Sequence, residues 1–284
     1  MATDAPKIAL IQFPGSTGEW ESKRAAEAAG MTCDVFRWNR PPHLLSEYDG
    51  YIIGGGMSYQ GRVRAGAIAA RQPAVSAVFE QVTERGKPII GISNGAQIMV
   101  EAGLVPGLNP GRVEMALATN APDPTGRIAD FYCGWVYIKL ACPPDRCLFT
   151  ADYEPDTVIP IPIAHSEGRF TTRDPQVVQA LTDNRQIVFQ YCDAQGRVED
   201  SRTVNPDGSM KNIAALCNPE GNALAIMPYP ERAGFLRQIP EDLPGSWGES
   251  KRAAYGDAAA QDASGPGLAI FTAMAAALKA RITA

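Results

Sequence analysis

The sequence predicts an α/β protein in which a mostly parallel β-sheet is flanked by helices. The first half of the chain alternates short, nearly all-apolar segments with helical segments. Apolar runs of this kind are typical of strands that are buried on both faces. Glycine-rich turns such as Gly54-Gly55-Gly56 follow the apolar segments. Because helical crossovers make neighbouring strands parallel, the groups that follow the strands should gather at one edge of the sheet.

The individual elements follow from apolar periodicity and turn residues. In the first half, strands are predicted at residues 7–13, 32–37, 51–54 and 88–92, and helices at 19–29 and 65–84. The second half is richer in β-structure, with strands predicted at 114–119, 135–140, 157–164, 187–191, 213–217 and 223–227. Residues 232–267 are rich in Pro, Gly, Ala and Ser, which predicts an irregular extension before a closing helix at 268–281. No internal repeat is evident, so residues 1–284 are predicted to form a single domain.

The segment Gly91-Ile92-Ser93-Asn94-Gly95 lies between a predicted strand and a predicted helix. This is the arrangement of a nucleophile elbow, in which a sharp turn exposes the central side chain. The flanking glycines leave room for that turn. Ser93 is therefore the first candidate for a reactive residue.

Several further blocks accompany the elbow. They are Gly-Gly-Met-Ser-Tyr at 55–59, Arg-Ala-Gly-Ala-Ile-Ala at 64–69, His-Ser-Glu-Gly-Arg-Phe at 165–170, Asn-Pro-Asp-Gly-Ser at 205–209 and Met-Pro-Tyr-Pro-Glu-Arg-Ala at 227–233. In this order and spacing, the chain resembles the glutaminase subunits of phosphoribosylformylglycinamidine synthase, which are class I glutamine amidotransferases.

The resemblance implies a flavodoxin-like three-layer sandwich with an additional β-rich region. It also implies a catalytic triad at Ser93, Tyr229 and Glu231, with Gly55 and Gly56 in the oxyanion and substrate loop. The backbone N–H of Asn94 should complete the oxyanion hole. The implied partner is a synthetase-type ATP-dependent subunit, which would consume ammonia that the glutaminase releases from glutamine.

Two of the three triad positions depart from the pattern of the family. The family has a nucleophilic Cys where this chain has Ser93, and a His where it has Tyr229. A cysteine attacks as a thiolate that a neighbouring imidazole makes available. Serine needs a base within hydrogen-bond reach, and tyrosine, with an ordinary pKa of about 10, is a poor base.

These departures predict a catalytically impaired glutaminase, a pseudo-glutaminase subunit that acts as a docking, structural or regulatory partner. Two alternatives remain open. The chain could be an active glutamine amidotransferase that uses Ser93, or a serine hydrolase, since Gly91-x-Ser93-x-Gly95 also fits the hydrolase pattern. A hydrolase needs a histidine for Ser93, and the chain contains only His43 and His165. For His165 we expect a structural or partner-facing role.

Composition excludes several other classes. The net charge of -5 provides no basic surface for nucleic acid. No apolar run approaches the roughly 20 residues of a membrane helix, and the first six residues lack the features of a signal peptide. We therefore expect a cytoplasmic protein. The six cysteines do not have the spacing of a zinc site, so neither a metal nor another cofactor is expected.

Overall fold

A nine-stranded sheet runs through the computed structural model, which describes residues 5–122 and 131–283. Its strands in chain order are β1 Lys7–Gln12, β2 Thr32–Arg37, β3 Gly50–Ile53, β4 Ile89–Ile92, β6 Tyr132–Leu140, β7 Val158–His165, β9 Ile187–Cys192, β10 Ile213–Cys217 and β11 Ala223–Ile226. A separate two-stranded sheet pairs β5 Ala116–Ala118 with β8 Arg169–Thr171. The helices are α1 Glu19–Ala28, α2 Pro73–Thr83, α3 Asn94–Glu101, α4 Pro175–Asp183, α5 Ser246–Ala253, α6 Ala258–Gln261 and α7 Leu268–Thr283.

The large sheet has the order β2-β1-β3-β4-β11-β10-β9-β6-β7. From β2 to β11 every neighbouring pair is parallel. From β11 to β7 every pair is antiparallel. The predicted α/β class is confirmed, and most of the predicted β-rich region continues the same sheet as its antiparallel half.

Helices cover both faces of the sheet, which gives three layers. Alternate residues of β1 point to opposite sides, so that Ile8 and Leu10 belong to one apolar core and Ala9 and Ile11 to the other. The first core is closed by α1 and α7, and the second by α2, α3 and α4. No helix in the described parts of the chain combines the length and apolar character needed to cross a bilayer.

Two predicted elements need correction, and two observed elements were missed. The helix predicted at 65–84 was wrong in its first part, because α2 begins only at Pro73. Gly66 has a left-handed φ of 82°, and a Cβ there would lie 2.7 Å from the backbone of Gln97, so a close turn replaces the first helical turns. The extension at 232–267 is not wholly irregular, since it contains α5 and α6. The short elements α4 and β8 were not predicted.

Candidate active site

Ser93 occupies the sharp turn between β4 and α3. Its φ of 53° and ψ of -107° are strained for a residue with a side chain. The Ser93 backbone N–H donates to the Ile226 carbonyl at 2.8 Å, which fixes the turn to the neighbouring strand β11. A Cβ on Gly95 would lie only 2.0 Å from the Ile53 carbonyl oxygen. Glycine is therefore required there, so the turn depends on both the strained Ser93 and the close approach of Gly95 to β3.

The hydroxyl of Ser93 meets the phenol of Tyr229, with 2.8 Å between the two oxygens. The same phenol donates to the Ala164 carbonyl on β7 at 3.2 Å. Burial raises the pKa of Tyr229 above its ordinary value, so the phenol keeps its proton at neutral pH. The Arg232 guanidinium lies 4.3 Å from the centre of the Tyr229 ring. Tyr229 is thus held in place by hydrogen bonds and by a cation–π contact.

Glu231 lies two residues after Tyr229 in the chain, and the residue is 1% exposed. Neither of its carboxyl oxygens has a hydrogen-bond partner among the described residues. Burial raises the pKa of Glu231 to about 8, and the nearby Arg232 offsets this only in part. The carboxyl group is therefore protonated at neutral pH. It makes no hydrogen bond to the phenol of Tyr229.

The glycine turn after β3 lies against the elbow. Gly56 has a φ of 123°, and a Cβ there would come within 2.6 Å of the Gly15 carbonyl oxygen. The next residues are tied to the elbow, because the Ser58 N–H donates to the Asn94 side-chain oxygen at 3.0 Å. Among the described residues, the backbone N–H groups of Gly56 and Asn94 donate no intramolecular hydrogen bond. Both groups remain available to a ligand oxygen.

Ser93, Asn94 and Gly56 line one pocket of about 130 Å³. Other lining residues, among them Gln97 and Glu167, were not candidates from the sequence. The Asn94 amide donates to the Gln97 side-chain oxygen at 2.8 Å, and the Gln97 amide donates to the Glu167 carbonyl at 2.5 Å. The i, i+3 spacing of Asn94 and Gln97 on α3 was the available signal.

His165 also borders this pocket, but its ring is engaged elsewhere. Its Nδ1 lies 3.1 Å from the Asn120 side-chain oxygen, and its Nε2 lies 3.6 Å from an Asp207 carboxyl oxygen. The Tyr191 phenol donates to the same Asp207 oxygen at 3.1 Å. Burial lowers the pKa of His165 to about 4 and raises that of Asp207 to about 6. This buried network fits the expected structural role of His165.

Neither of the two histidines, both of which lie in the described residues, hydrogen-bonds the Ser93 hydroxyl. His43 belongs to a 3₁₀ turn at Pro42–Glu47, before β3. His165 is held by Asn120 as described above. Residues 5–122 and 131–283 contain no group of three metal-ligating side chains.

Comparison with known proteins gives a consistent set of similarities. Residues 5–274 match the family model of the CobB/CobQ-like glutamine amidotransferase domain. The phosphoribosylformylglycinamidine synthase subunit PurQ of Methanothrix thermoacetophila is 45% identical over 240 residues, covering 84% of this chain and 90% of that protein. The corresponding subunit of Pyrococcus furiosus is 41% identical over 236 residues, covering 83% and 93%. A chain in the structure of PurLQS from Thermotoga maritima superimposes with a TM-score of 0.68 at 28% identity, covering 96% of this chain and 99% of that one.

Proposed function

The chain belongs to the CobB/CobQ-like glutamine amidotransferase domain family, and from this premise we propose that it is an impaired glutaminase-like subunit of a phosphoribosylformylglycinamidine-synthase-type complex. Its similarity to PurQ subunits at 45% and 41% identity supports the type of complex. The structural similarity to a chain of PurLQS supports a partner of the synthetase type.

The main observation in support of impaired catalysis is the 2.8 Å contact between the Ser93 and Tyr229 oxygens. In an active triad, the residue in contact with the nucleophile removes its proton. The protonated Tyr229 phenol cannot do so, and the buried Glu231 carboxyl hydrogen-bonds neither residue. Removal of one triad member from a comparable enzyme costs roughly 10⁴ to 10⁶ in turnover, so we expect a loss of that order here.

The pocket itself supports a retained capacity to bind a small amide. Ser93 keeps a strained turn with a φ of 53°, and the backbone N–H groups of Gly56 and Asn94 face no acceptor within the described residues. Glutamine is the ligand that the family assignment suggests. In such a subunit, glutamine could occupy the pocket without being hydrolysed, and the ammonia would have to reach the synthetase from another source.

The rim of the pocket supports docking of a partner. Met57, Val63 and Phe131 are large apolar residues that are 55%, 89% and 59% exposed. Met57 and Phe131 line the pocket, and Val63 lies on the loop that follows Met57. Val63 has a φ of 73°, which is strained for a β-branched residue. Apolar exposure together with strain at one rim is typical of a surface that a partner covers.

A second candidate is an active glutamine amidotransferase that uses Ser93 as its nucleophile. The strained φ of 53° at Ser93 favours this candidate, because strain of this kind presents a nucleophile in hydrolases. A serine hydrolase of other substrates is less well supported, since neither histidine hydrogen-bonds the Ser93 hydroxyl.

One assay distinguishes these candidates. Glutamate release from glutamine is measured for the purified chain, alone and with its synthetase subunit and ATP, beside a subunit that has Cys and His at the two positions. We expect turnover lower by roughly 10⁴ or more. Turnover within tenfold of the reference would contradict the impairment, and its loss in Ser93→Ala would then identify Ser93 as the nucleophile.

A further inference from the structure

Backbone strain gathers at two places in the described residues. Eight non-glycine residues have a left-handed φ, between 48° and 73°. Four of them lie in or beside the Ser93 pocket, namely Tyr59, Gln60, Val63 and Ser93. The other four line a second depression in the antiparallel half of the sheet, namely Asp156, Arg185, Lys211 and Asn212. Strained residues cluster at ligand sites, so the second group indicates a second site.

This depression, which we call the α4 groove, lies beside the carboxyl end of α4. It consists of two adjoining cavities of about 350 and 590 Å³ that share Ala141, Arg185, Gln190 and Val198. Gln190 lies on β9, where it pairs in register with Lys139 of β6. The groove has the size of a small-molecule site and is separate from the pocket of Ser93.

Arg185 occupies a position in which glycine would be more stable. It follows the cap of α4, where its N–H donates to the Thr182 carbonyl at 3.1 Å and the next N–H, of Gln186, donates to the Leu181 carbonyl at 2.9 Å. This is a Schellman ending, whose left-handed residue is usually glycine. Arg185 adopts it with a φ of 53° and Lys211 has a φ of 48°. Both cationic residues thus retain strain that a glycine would relieve.

The charges of the groove favour an anion. Lys139 is paired with Asp156 at 2.9 Å, which neutralises both. The side chains of Arg185 and Lys211 form no salt bridge with a described residue, so two positive charges face the groove. Its wall also contains the apolar residues Leu181, Ile187 and Val198, of which Val198 is 42% exposed.

We propose that the α4 groove binds a small phosphate ester that carries a ring. Arg185 and Lys211 hold the phosphate, because a guanidinium group and an ammonium group complement its oxygens. The ring packs against Ile187 and Val198. This site shares no lining residue with the pocket of Ser93.

The test is titration calorimetry of the full chain with AMP at low salt, with adenosine and inorganic phosphate in parallel. The wild type should bind AMP saturably. Arg185→Gly and Lys211→Gly should each weaken binding by roughly tenfold to a hundredfold, the loss expected for one charge-assisted contact. Their urea midpoints should stay unchanged or rise, because glycine relieves the strain. Arg173→Gln, which removes an exposed cation outside the groove, should bind AMP like the wild type.

Each other outcome decides part of the proposal. Equal binding of inorganic phosphate and AMP would support the phosphate site and overturn the ring contact. Absence of saturable binding by the wild type would overturn the whole proposal, and so would AMP affinity that survives both glycine substitutions. Lower urea midpoints for both variants would assign Arg185 and Lys211 to stability instead of binding.

Discussion

Ser93 donates its hydroxyl proton toward Tyr229. The phenol of Tyr229 has a single proton, and the Ala164 carbonyl can only accept, so the phenol donates to Ala164. The 2.8 Å contact must then run from the Ser93 hydroxyl to the phenol oxygen. A neutral phenol oxygen binds a second proton very weakly. The serine therefore points its proton at a group that accepts a hydrogen bond but cannot take the proton.

Restoring a thiol and an imidazole together should restore glutaminase activity. In Ser93→Cys with Tyr229→His, the imidazole can form the thiolate, and the resulting positive charge favours loss of the proton of the nearby Glu231 carboxyl, which can then pair with the imidazolium. Because the elbow strain and the free N–H groups are already present, we expect a gain of at least a hundredfold in glutamate release over the wild type.

The two single variants are the matched controls for this gain. Ser93→Cys leaves a thiol beside a protonated phenol, and Tyr229→His leaves a serine beside an imidazole, so each should gain less than tenfold. Thiol labelling by an electrophilic glutamine analogue reports pocket geometry separately from turnover. A folded double variant that is neither labelled nor active would refute the claim that the pocket has kept its shape.

Glu231 should make the protein less stable as the pH rises. The unfolded carboxyl loses its proton near 4.5, whereas in the folded state its pKa is about 8. Between these values the folded state binds one more proton, so the contribution of Glu231 to the free energy of unfolding falls by about 1.4 kcal/mol per pH unit. Below pH 4.5 the contribution is complete, and above pH 8 it is lost.

Glu231→Gln removes this dependence while keeping a group of the same shape. Its free energy of unfolding should match the wild type near pH 5 and exceed it at pH 8. The excess should be a few kcal/mol, because the wild type loses about 1.4 kcal/mol per pH unit. Urea unfolding at both pH values measures the difference. Glu21→Gln, which changes a nearby half-exposed carboxylate, is the control and should preserve the wild-type slope. Equal pH dependence of Glu231→Gln and wild type would exclude a buried, neutral carboxyl.

Much of the fold could be predicted because local sequence and tertiary structure agree. The apolar segments of β1, β2, β4, β10 and β11 were located within a residue or two of their ends. The prediction of a helix at 65–84 was wrong in its first part because the left-handed Gly66 allows a close approach to the backbone of Gln97. Apolar periodicity does not reveal such a contact. The strand β8 has only three residues and depends on pairing with β5, so its own sequence carries little signal.

The proximity of the candidate residues could be predicted from the sequence, but their protonation states could not. Motif order placed Ser93, Tyr229 and Asn94 together, and the structure brings them to one edge of the sheet. The neutral state of Glu231 depends on its complete burial, which involves distant segments of the chain. His165 likewise lies close to Asn120 and Asp207, which are 45 and 42 positions away in the sequence. A local sequence pattern cannot predict contacts over such separations.

Gly55 should be required for the ring of Tyr229. A Cβ at position 55 would lie 2.7 Å from the Tyr229 Cε1, closer than carbon atoms pack. The hydrogen bonds to Ser93 and Ala164 prevent the ring from moving away. Gly55→Ala should therefore destabilise the protein by roughly 1–3 kcal/mol, as overpacking does.

A double-mutant cycle isolates the contact of Gly55 with Tyr229. In a Tyr229→Ala background the ring is gone, so Gly55→Ala should cost less than about 0.5 kcal/mol. Gly54→Ala is the matched control, since a Cβ there would meet nothing closer than 3.7 Å. Urea unfolding of the five proteins gives the coupling energy. An equal cost of Gly55→Ala in both backgrounds would assign the effect to the backbone instead of the ring.

The apolar rim of Met57, Val63 and Phe131 should carry the contact with the synthetase subunit. Val63→Asp places a charge at the most exposed of these residues, so it should weaken association without loss of stability. Ile282→Asp is the control, because Ile282 is 48% exposed near the end of α7, where Arg281 contacts Arg85 and Gly86 before β4. That contact lies near the amino end of β4, whereas Ser93 follows its carboxyl end.

Co-expression with the synthetase subunit and size-exclusion chromatography at micromolar concentration measure this association. An interface of roughly 1,200–2,000 Å² should keep the wild type and Ile282→Asp in the complex, while Val63→Asp elutes as free subunit. The ammonia-dependent activity of the partner should change when the wild type or Ile282→Asp is added, but not when Val63→Asp is added. If Val63→Asp co-elutes like the wild type, the rim does not carry the interface. If the wild type itself neither co-elutes nor changes the partner's activity, the chain is not a subunit of such a complex.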